Sequence, residues 1–184
     1  MADPTEAKIA LPAGMLVEAL VPNMDIRGSL TEIHRDEWIG RPLILQWDSI
    51  QSNANVLRGL HAHADRYEIY ILVRGRAFIG VRDVRRRSPT EGMLVGLEVQ
   101  GSRPRAVHIP QCLLHGMYFL EDSMLLVGFS EYYQPSDELG CNWQDSEAGI
   151  TWPCNRPVLS GRDAALPSLK VLLQTHDLAY KTAS

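Results

Sequence analysis

Short apolar stretches that alternate with polar residues, each closed by a turn former, run through most of this chain and leave little room for long helices. "MLVEALVPNMDIRGSLTEI" alternates in pieces broken by Pro22, Asn23 and Gly28. "RPLILQWDSIQS", "EIYILVRGRAFIGVRDV", "MLVGLEVQG", "AVHIPQCLLHGMYFL" and "SMLLVGFSEYY" follow, with turn residues between them. Strands at this spacing build a sandwich or barrel rather than βαβ units, and the jelly roll fits best. The expected fold class is all-β with a minor C-terminal helix in "DAALPSLKVLL". At 184 residues one core suffices, so residues 1–184 are read as a single domain. The jelly roll is expected over about 15–133. The polar, Pro-, Gly- and Trp-containing segment 134–184 is expected to wrap around it.

Charge and cysteine content narrow the function classes. The formal net charge is -4 and the pI about 5.8, so no global field attracts nucleic acid or an anionic membrane. The basic run "VRDVRRRS", with Arg82, Arg85, Arg86 and Arg87, reads as a solvated strand end. Cys112, Cys141 and Cys154 are odd in number and lack CxxC spacing, which suits a reducing compartment. No basic n-region with a long apolar stretch opens the chain, and no apolar run reaches the ~20 residues of a membrane helix. A cytoplasmic location is expected.

The stretch "RGLHAHADRYEIYILVRG" carries the chemistry. Residues two apart on a strand share a face, so His61 and His63 point the same way. Glu68 has the opposite parity and joins them only if "ADRY" breaks the strand. Three readings compete for this group: a metal site, a catalytic base with its partner, or a polar strand end. The spacing His-x-His, four residues, Glu, six residues, Gly75 resembles the first motif of the cupins, which are metal-binding jelly-roll barrels. Their second motif is matched by "PQCLLH", with Cys112 where a glycine is usual, and His115. The resemblance implies a four-ligand set of His61, His63, Glu68 and His115. Three imidazoles and a carboxylate suit zinc, iron, nickel or manganese.

A longer resemblance, to the dTDP-4-dehydrorhamnose 3,5-epimerases, covers nearly the whole chain. Its pieces are, in order, "DIRGSLTEI", "LQWDSIQSN", "VLRGLHAH", "VRDVRRRSPTEG", "HIPQCLLHGM", "EYYQPSDELGCNWQD", "GITWP" and "LSGRD". It implies a jelly roll, a homodimer with exchanged strands, and a pocket for a nucleoside-diphosphate sugar. It also implies proton transfer beside a 4-keto group, with a histidine base held by an aspartate, a lysine on the enolate oxygen and a tyrosine acid. His61 stands at the position of the base and Asp163 at that of its partner. Arg58 matches the arginine of the diphosphate site. Arg27, Glu32, Gln46 and the aromatic Tyr133 match residues near the nucleotide. Two positions depart: Glu68 stands where the lysine is expected, and Val127 or Gly128 where the tyrosine is.

These departures leave two main function classes. One is a nucleotide-sugar epimerase or isomerase of deoxysugar or polysaccharide biosynthesis, metal-assisted and not an ordinary 3,5-epimerase. The other is a divalent-metal cupin of different chemistry, an oxygenase or a non-sugar isomerase. A binding homologue without catalysis is a third. If a metal is bound, Asp163 becomes an orienter of His61; if none is, His61 is free to act as the base. His108 reads as a strand-end residue, and His34 and His176 as surface residues.

Overall fold

The computed structural model describes residues 9–38 and 42–180. Twelve strands occur among them: β1 Leu16–Ala19, β2 Pro22–Asp25, β3 Gly28–Thr31, β4 Gln46–Ser52, β5 Leu57–Ala62, β6 Glu68–Arg74, β7 Arg76–Asp83, β8 Leu94–Gln100, β9 Arg105–Ile109, β10 Leu113–Phe119, β11 Ser123–Phe129 and β12 Leu139–Gly140. They form two five-stranded antiparallel sheets, in the orders β1-β9-β6-β11-β4 and β12-β5-β10-β7-β8, and one separate hairpin, β2-β3. From β4 onward the chain changes sheet at nearly every connection, which is the winding of a jelly roll. The sequence expectation of an all-β chain with minor C-terminal helix holds.

Inward-facing residues of the two sheets fill the space between them with period two. Leu125, Val127 and Phe129 on β11 meet Leu113, Met117 and Phe119 on β10 and Ile79 and Val81 on β7. Each such buried aliphatic or aromatic side chain contributes roughly 1.5–3 kcal/mol. Ile69 and Ile71 face the opposite side of β6, in a second cluster with Leu20, Ile44 and Ala106. On the inner face of β6 the alternation therefore runs Glu68, Tyr70, Leu72, and its polar end faces the same interior as its apolar end.

Residues beyond Gln134 do more than wrap. A 3-10 turn at Pro135–Asp137 leads into β12, which adds to the edge of β5 with Gly140 opposite His61. The single helix expected near the C-terminus is two. α1 (Gly161–Ala164) and α2 (Leu169–Thr175) are separated at Pro167, which supplies no amide hydrogen and restricts the residue before it. Ser160 and Ser168 cap their N-termini through hydrogen bonds to the amides of Asp163 and Val171. β1 pairs within its own chain with β9, while the β2-β3 hairpin pairs with no other strand among the described residues. Ile26 at its tip is fully exposed, and Met24 and Leu30 are largely so. No helix of the described residues is long and apolar enough to cross a membrane.

Candidate active site

One end of the space between the sheets is open and forms a cavity of about 540 Å³. Its wall is apolar, from Met117, Phe119, Leu125 and Val127. Its other side carries His61, His63, Arg66, Glu68, Tyr70 and Asp163.

β5 positions the first pair. The register between β5 and β10 shifts between His115 and Gly116, where Gly116 faces Gly59 and His115 faces His61. The shift brings both Arg58 and His61 to the cavity. Gly59 has φ 128, and a Cβ there would lie 2.7 Å from the Cα of Gly116, so only glycine fits. His61 Nε2 donates to Asp163 Oδ1 at 2.8 Å. A carboxylate only accepts, so this contact puts the ring hydrogen on Nε2 and the lone pair on Nδ1. No hydrogen bond among the described residues uses that Nδ1. Burial raises the pKa of Asp163, but the hydrogen bond from His61, the Gly59 amide and the nearby Arg162 charge outweigh it and hold the group low. Arg162 Nη2 lies 3.0 Å from the same His61 nitrogen.

A second group lies beside it. "ADRY" does break the strand: β5 ends at Ala62 and β6 begins at Glu68, which turns Glu68 toward the histidines. The turn is tied down where the Cys112 amide donates to the His63 carbonyl at 2.7 Å. Cys112 itself sits at φ 63, the left-handed conformation in which the usual glycine costs least. His63, Glu68 and His115 converge, with one ligand atom from each within 4.8 Å of the others, and all three are buried. His61 is not part of this group. Its Nε2 contacts Asp163, and three of the four expected metal ligands converge here.

The triad's chemistry can be read from its hydrogen bonds. His63 Nδ1 donates to the Asp137 carbonyl at 2.9 Å, and His115 Nδ1 donates to the Leu113 carbonyl at 2.9 Å. Each imidazole therefore turns its Nε2 toward Glu68, at 3.3 Å from Oε1 for His63 and 2.9 Å from Oε2 for His115. Glu68 Oε2 is buried and accepts no hydrogen bond of good geometry. Two anchored imidazoles aimed at a carboxylate are a donor set that fits a divalent cation.

The sequence reading missed the residue that complicates this. Arg66 alternates with Glu68 and Tyr70, is only 4% exposed, and packs over the Phe129 ring at 4.8 Å. Its Nε donates to Glu68 Oε1 at 3.2 Å, and its Nη2 donates to Glu138 Oε1 at 2.7 Å and lies 3.0 Å from His63 Nε2. Glu138 also accepts from Arg162 Nη1 at 2.7 Å, linking the two halves of the site. A guanidinium and a divalent ion about 4 Å apart repel by roughly 8 kcal/mol at an effective dielectric near 20. A cation at the triad therefore needs Glu68 and Glu138 to offset Arg66. Burial disfavours the Glu68 carboxylate, but the His63 and His115 imidazoles and the Arg66 guanidinium outweigh it and hold its pKa at about 2. Burial pushes His63 down and Tyr70 well up. Reading "ADRY" as a turn concealed Arg66, although its two-residue spacing from Glu68 was visible. Glu138, in a polar loop, gave no local signal.

The remaining expected residues divide. Arg58 lines the cavity and donates from Nε to Ser52 Oγ at 3.0 Å. Tyr133 lines it too, its amide donating to Gln46 Oε1 at 3.1 Å. Arg27 and Glu32 are not brought to the cavity within one chain. Arg27, on the β2-β3 hairpin, pairs with Asp25, and Glu32 pairs with Arg35. His108 bridges Tyr67 and Glu18 in the sheet, as a structural residue does. His34, expected at the surface, is instead tucked near Trp38 and Trp47.

The family model described as dTDP-4-dehydrorhamnose 3,5-epimerase matches residues 9–171. The chain is 35% identical over 178 residues to the dTDP-4-dehydrorhamnose 3,5-epimerase of Salmonella typhimurium, covering 91% of this chain and 97% of that one. Among solved structures, ChmJ, a 3'-monoepimerase from Streptomyces bikiniensis in complex with dTDP-quinovose, superposes with a TM-score of 0.83 at 28% identity, over 91% of this chain and 90% of that one. The Legionella pneumophila 3,5-epimerase in complex with dTDP-4-keto-L-rhamnose gives a TM-score of 0.83 at 28% identity, over 92% and 94%. The chain belongs to the dTDP-4-dehydrorhamnose 3,5-epimerase family.

Proposed function

We propose that this chain epimerises a dTDP-4-keto-6-deoxyhexose, with His61 as the base. The observation that carries the reading is the His61–Asp163 pair at 2.8 Å inside the cavity, with Nδ1 left free. The ketone acidifies the hydrogens on its neighbouring carbons. His61 Nδ1 takes one of them, and Asp163, accepting from Nε2, stabilises the imidazolium that forms. Arg58 and Tyr133 line the same cavity and are assigned to the nucleotide diphosphate and base. The relatives act on or bind dTDP sugars, which supports dTDP over other nucleotides. The course of the reaction differs from the ordinary double epimerisation, because Glu68 stands at the position expected to hold a lysine and Val127 or Gly128 at that expected to hold a tyrosine.

The working unit on this reading is a homodimer. The unpaired, apolar β2-β3 hairpin lies against a second copy and carries Arg27 and Glu32 toward the partner's nucleotide site. Sedimentation as a monomer at micromolar concentration contradicts this. Product analysis tests the reaction: dTDP-4-keto-6-deoxy-D-glucose incubated with the protein yields a C3 or C5 epimer by NMR, and His61→Asn yields none. If the wild type leaves the compound unchanged yet binds dTDP, the chain is a sugar-nucleotide binder.

A second reading rests on the anchored Nε2 atoms of His63 and His115 at Glu68. These three residues would hold zinc, iron, nickel or manganese, and such a cation would polarise the substrate ketone. Metal analysis of protein purified without a chelator or affinity tag tests it, and His63→Ala with Glu68→Ala removes any bound metal.

A further inference from the structure

Removing a proton beside a ketone leaves the bonding electron pair on the ketone oxygen. That oxyanion needs a positive or hydrogen-bond-donating group in a dry site. The cavity supplies the base, and among its carboxylates Glu68 and Glu138 would oppose the charge. We propose that Arg66 is the catalytic residue that stabilises the enolate oxygen, through the Nη1 edge of its guanidinium; this rests on the epimerase reading above.

Four observations support it. Arg66 lines the same cavity as His61. Its Nε and Nη2 are held by Glu68 and Glu138, which fix the plane of the guanidinium. No hydrogen bond among the described residues uses Nη1, and that nitrogen is not among the fully buried atoms without a partner, so it is open to a further acceptor. A single imidazole, His63, separates guanidinium and base: its ring centroid is 6.4 Å from that of His61, and its Nε2 is 3.0 Å from Arg66 Nη2. The inference places the sugar's ketone toward Arg66 and an adjacent carbon toward His61. The step balances without a co-reactant. The C–H bond breaks, its proton goes to His61 Nδ1, and its electron pair passes through the new C=C bond to leave charge on the oxygen facing Nη1.

Arg66 also neutralises buried Glu68, so a simple truncation risks the fold. Arg66→Met/Glu68→Gln removes both charges together, and its thermal melt reports folding. The assay is deuterium incorporation beside the ketone of dTDP-4-keto-6-deoxy-D-glucose in D2O, with chelator-treated protein. The inference predicts exchange slowed about 10²–10³-fold in Arg66→Met and in the double variant, with dTDP affinity within threefold of wild type and partial recovery in Arg66→Lys. A double variant exchanging within tenfold of wild type means that Arg66 only balances Glu68, and overturns the inference. Wild-type exchange that stops on chelation and returns with zinc or manganese assigns the task to a metal and overturns it while leaving His61 as base. Wild type that exchanges no hydrogen, with or without metal, removes the epimerase reading and this inference together.

Discussion

Asp83 and Glu68 make an instructive pair. Each is a buried carboxylate, 0% and 2% exposed, and each has a buried arginine two residues away, Arg85 and Arg66. Around Asp83 every acceptor is used. Oδ1 accepts from the Arg85 amide and Nε at 3.1 and 2.8 Å. Oδ2 accepts from Arg85 Nη2, Ser88 Oγ and Thr90 Oγ1 at 2.8, 2.6 and 2.7 Å. Arg85 Nη2 also reaches the Ala13 carbonyl at 2.7 Å, tying the N-terminal segment to the barrel. Around Glu68 the two contacts to Oε1 are longer, at 3.2 and 3.3 Å, Oε2 accepts no hydrogen bond of good geometry, and the cluster faces an open cavity. The same residue types thus make a closed structural knot in one place and an incompletely satisfied site in the other. Incomplete satisfaction beside a cavity makes the Glu68 cluster, and not the Asp83 knot, the candidate functional site.

Stability is where the two clusters should differ most. Asp83→Asn leaves the Arg85 charge buried and unpaired, and is expected to cost about 3–5 kcal/mol. For a chain of this size that lowers Tm by on the order of 10 °C. Glu68→Gln leaves Arg66 its Glu138 partner, and is expected to cost about 1–2 kcal/mol. Equal losses in calorimetry would break the comparison. Activity should invert the order. At a temperature where it is folded, Asp83→Asn is expected to keep epimerase activity within about threefold, whereas Asp163→Asn loses about 10²-fold because the His61 tautomer is no longer fixed.

In acid the two clusters should behave alike. The pKa of Asp83 is held at about 2 against an ordinary 3.8; burial opposes this, but the hydrogen bonds from Arg85, Ser88 and Thr90 outweigh it. Glu68 is held at about 2 against 4.5. Both folded values lie below the unfolded ones, so both groups contribute stability that is present above about pH 4.5 and is lost as pH falls toward 2. The urea midpoint should decline across that window, on top of a gentler fall that begins below about pH 6.5, where the buried His63 resists protonation. The decline should be shallower in Asp83→Asn and in Glu68→Gln. A midpoint independent of pH from 5 to 2 would contradict the assignment of ionised, paired carboxylates. The smallest expected effect is on metal. If the triad binds zinc, Asp83→Asn leaves the stoichiometry unchanged, whereas His63→Ala reduces it.

Much of this molecule was legible in its sequence, and the failures have physical causes. Period-two alternation located the sheets because one face of each strand is buried. The cluster of His63, Glu68 and His115 followed from motif spacing once "ADRY" was read as a strand break. That His61 would also contact Asp163 was not legible from the spacing, which does not say which partner claims a ring nitrogen, and Asp163 lies 102 residues away. Arg85 read as part of a solvated run, yet Asp83 two positions earlier holds it in the interior. Arg66 read as a turn residue for the same reason: a charge in a short polar stretch looks exposed until its buried counter-ions are known. Arg27 and Glu32 lie on or beside a hairpin that pairs with no other strand among the described residues, so the described cavity lacks their expected contribution.

The most direct test of the account is the fate of the hydrogens beside the ketone. Wild-type protein and His61→Asn are each mixed with dTDP-4-keto-6-deoxy-D-glucose in D2O, and deuterium at C3 and C5 is followed by NMR or mass spectrometry. The account predicts exchange by the wild type at one or both carbons, and a rate at least about 10³-fold lower in His61→Asn, with dTDP binding retained. Exchange in His61→Asn at the wild-type rate would contradict the assignment of His61 as the base.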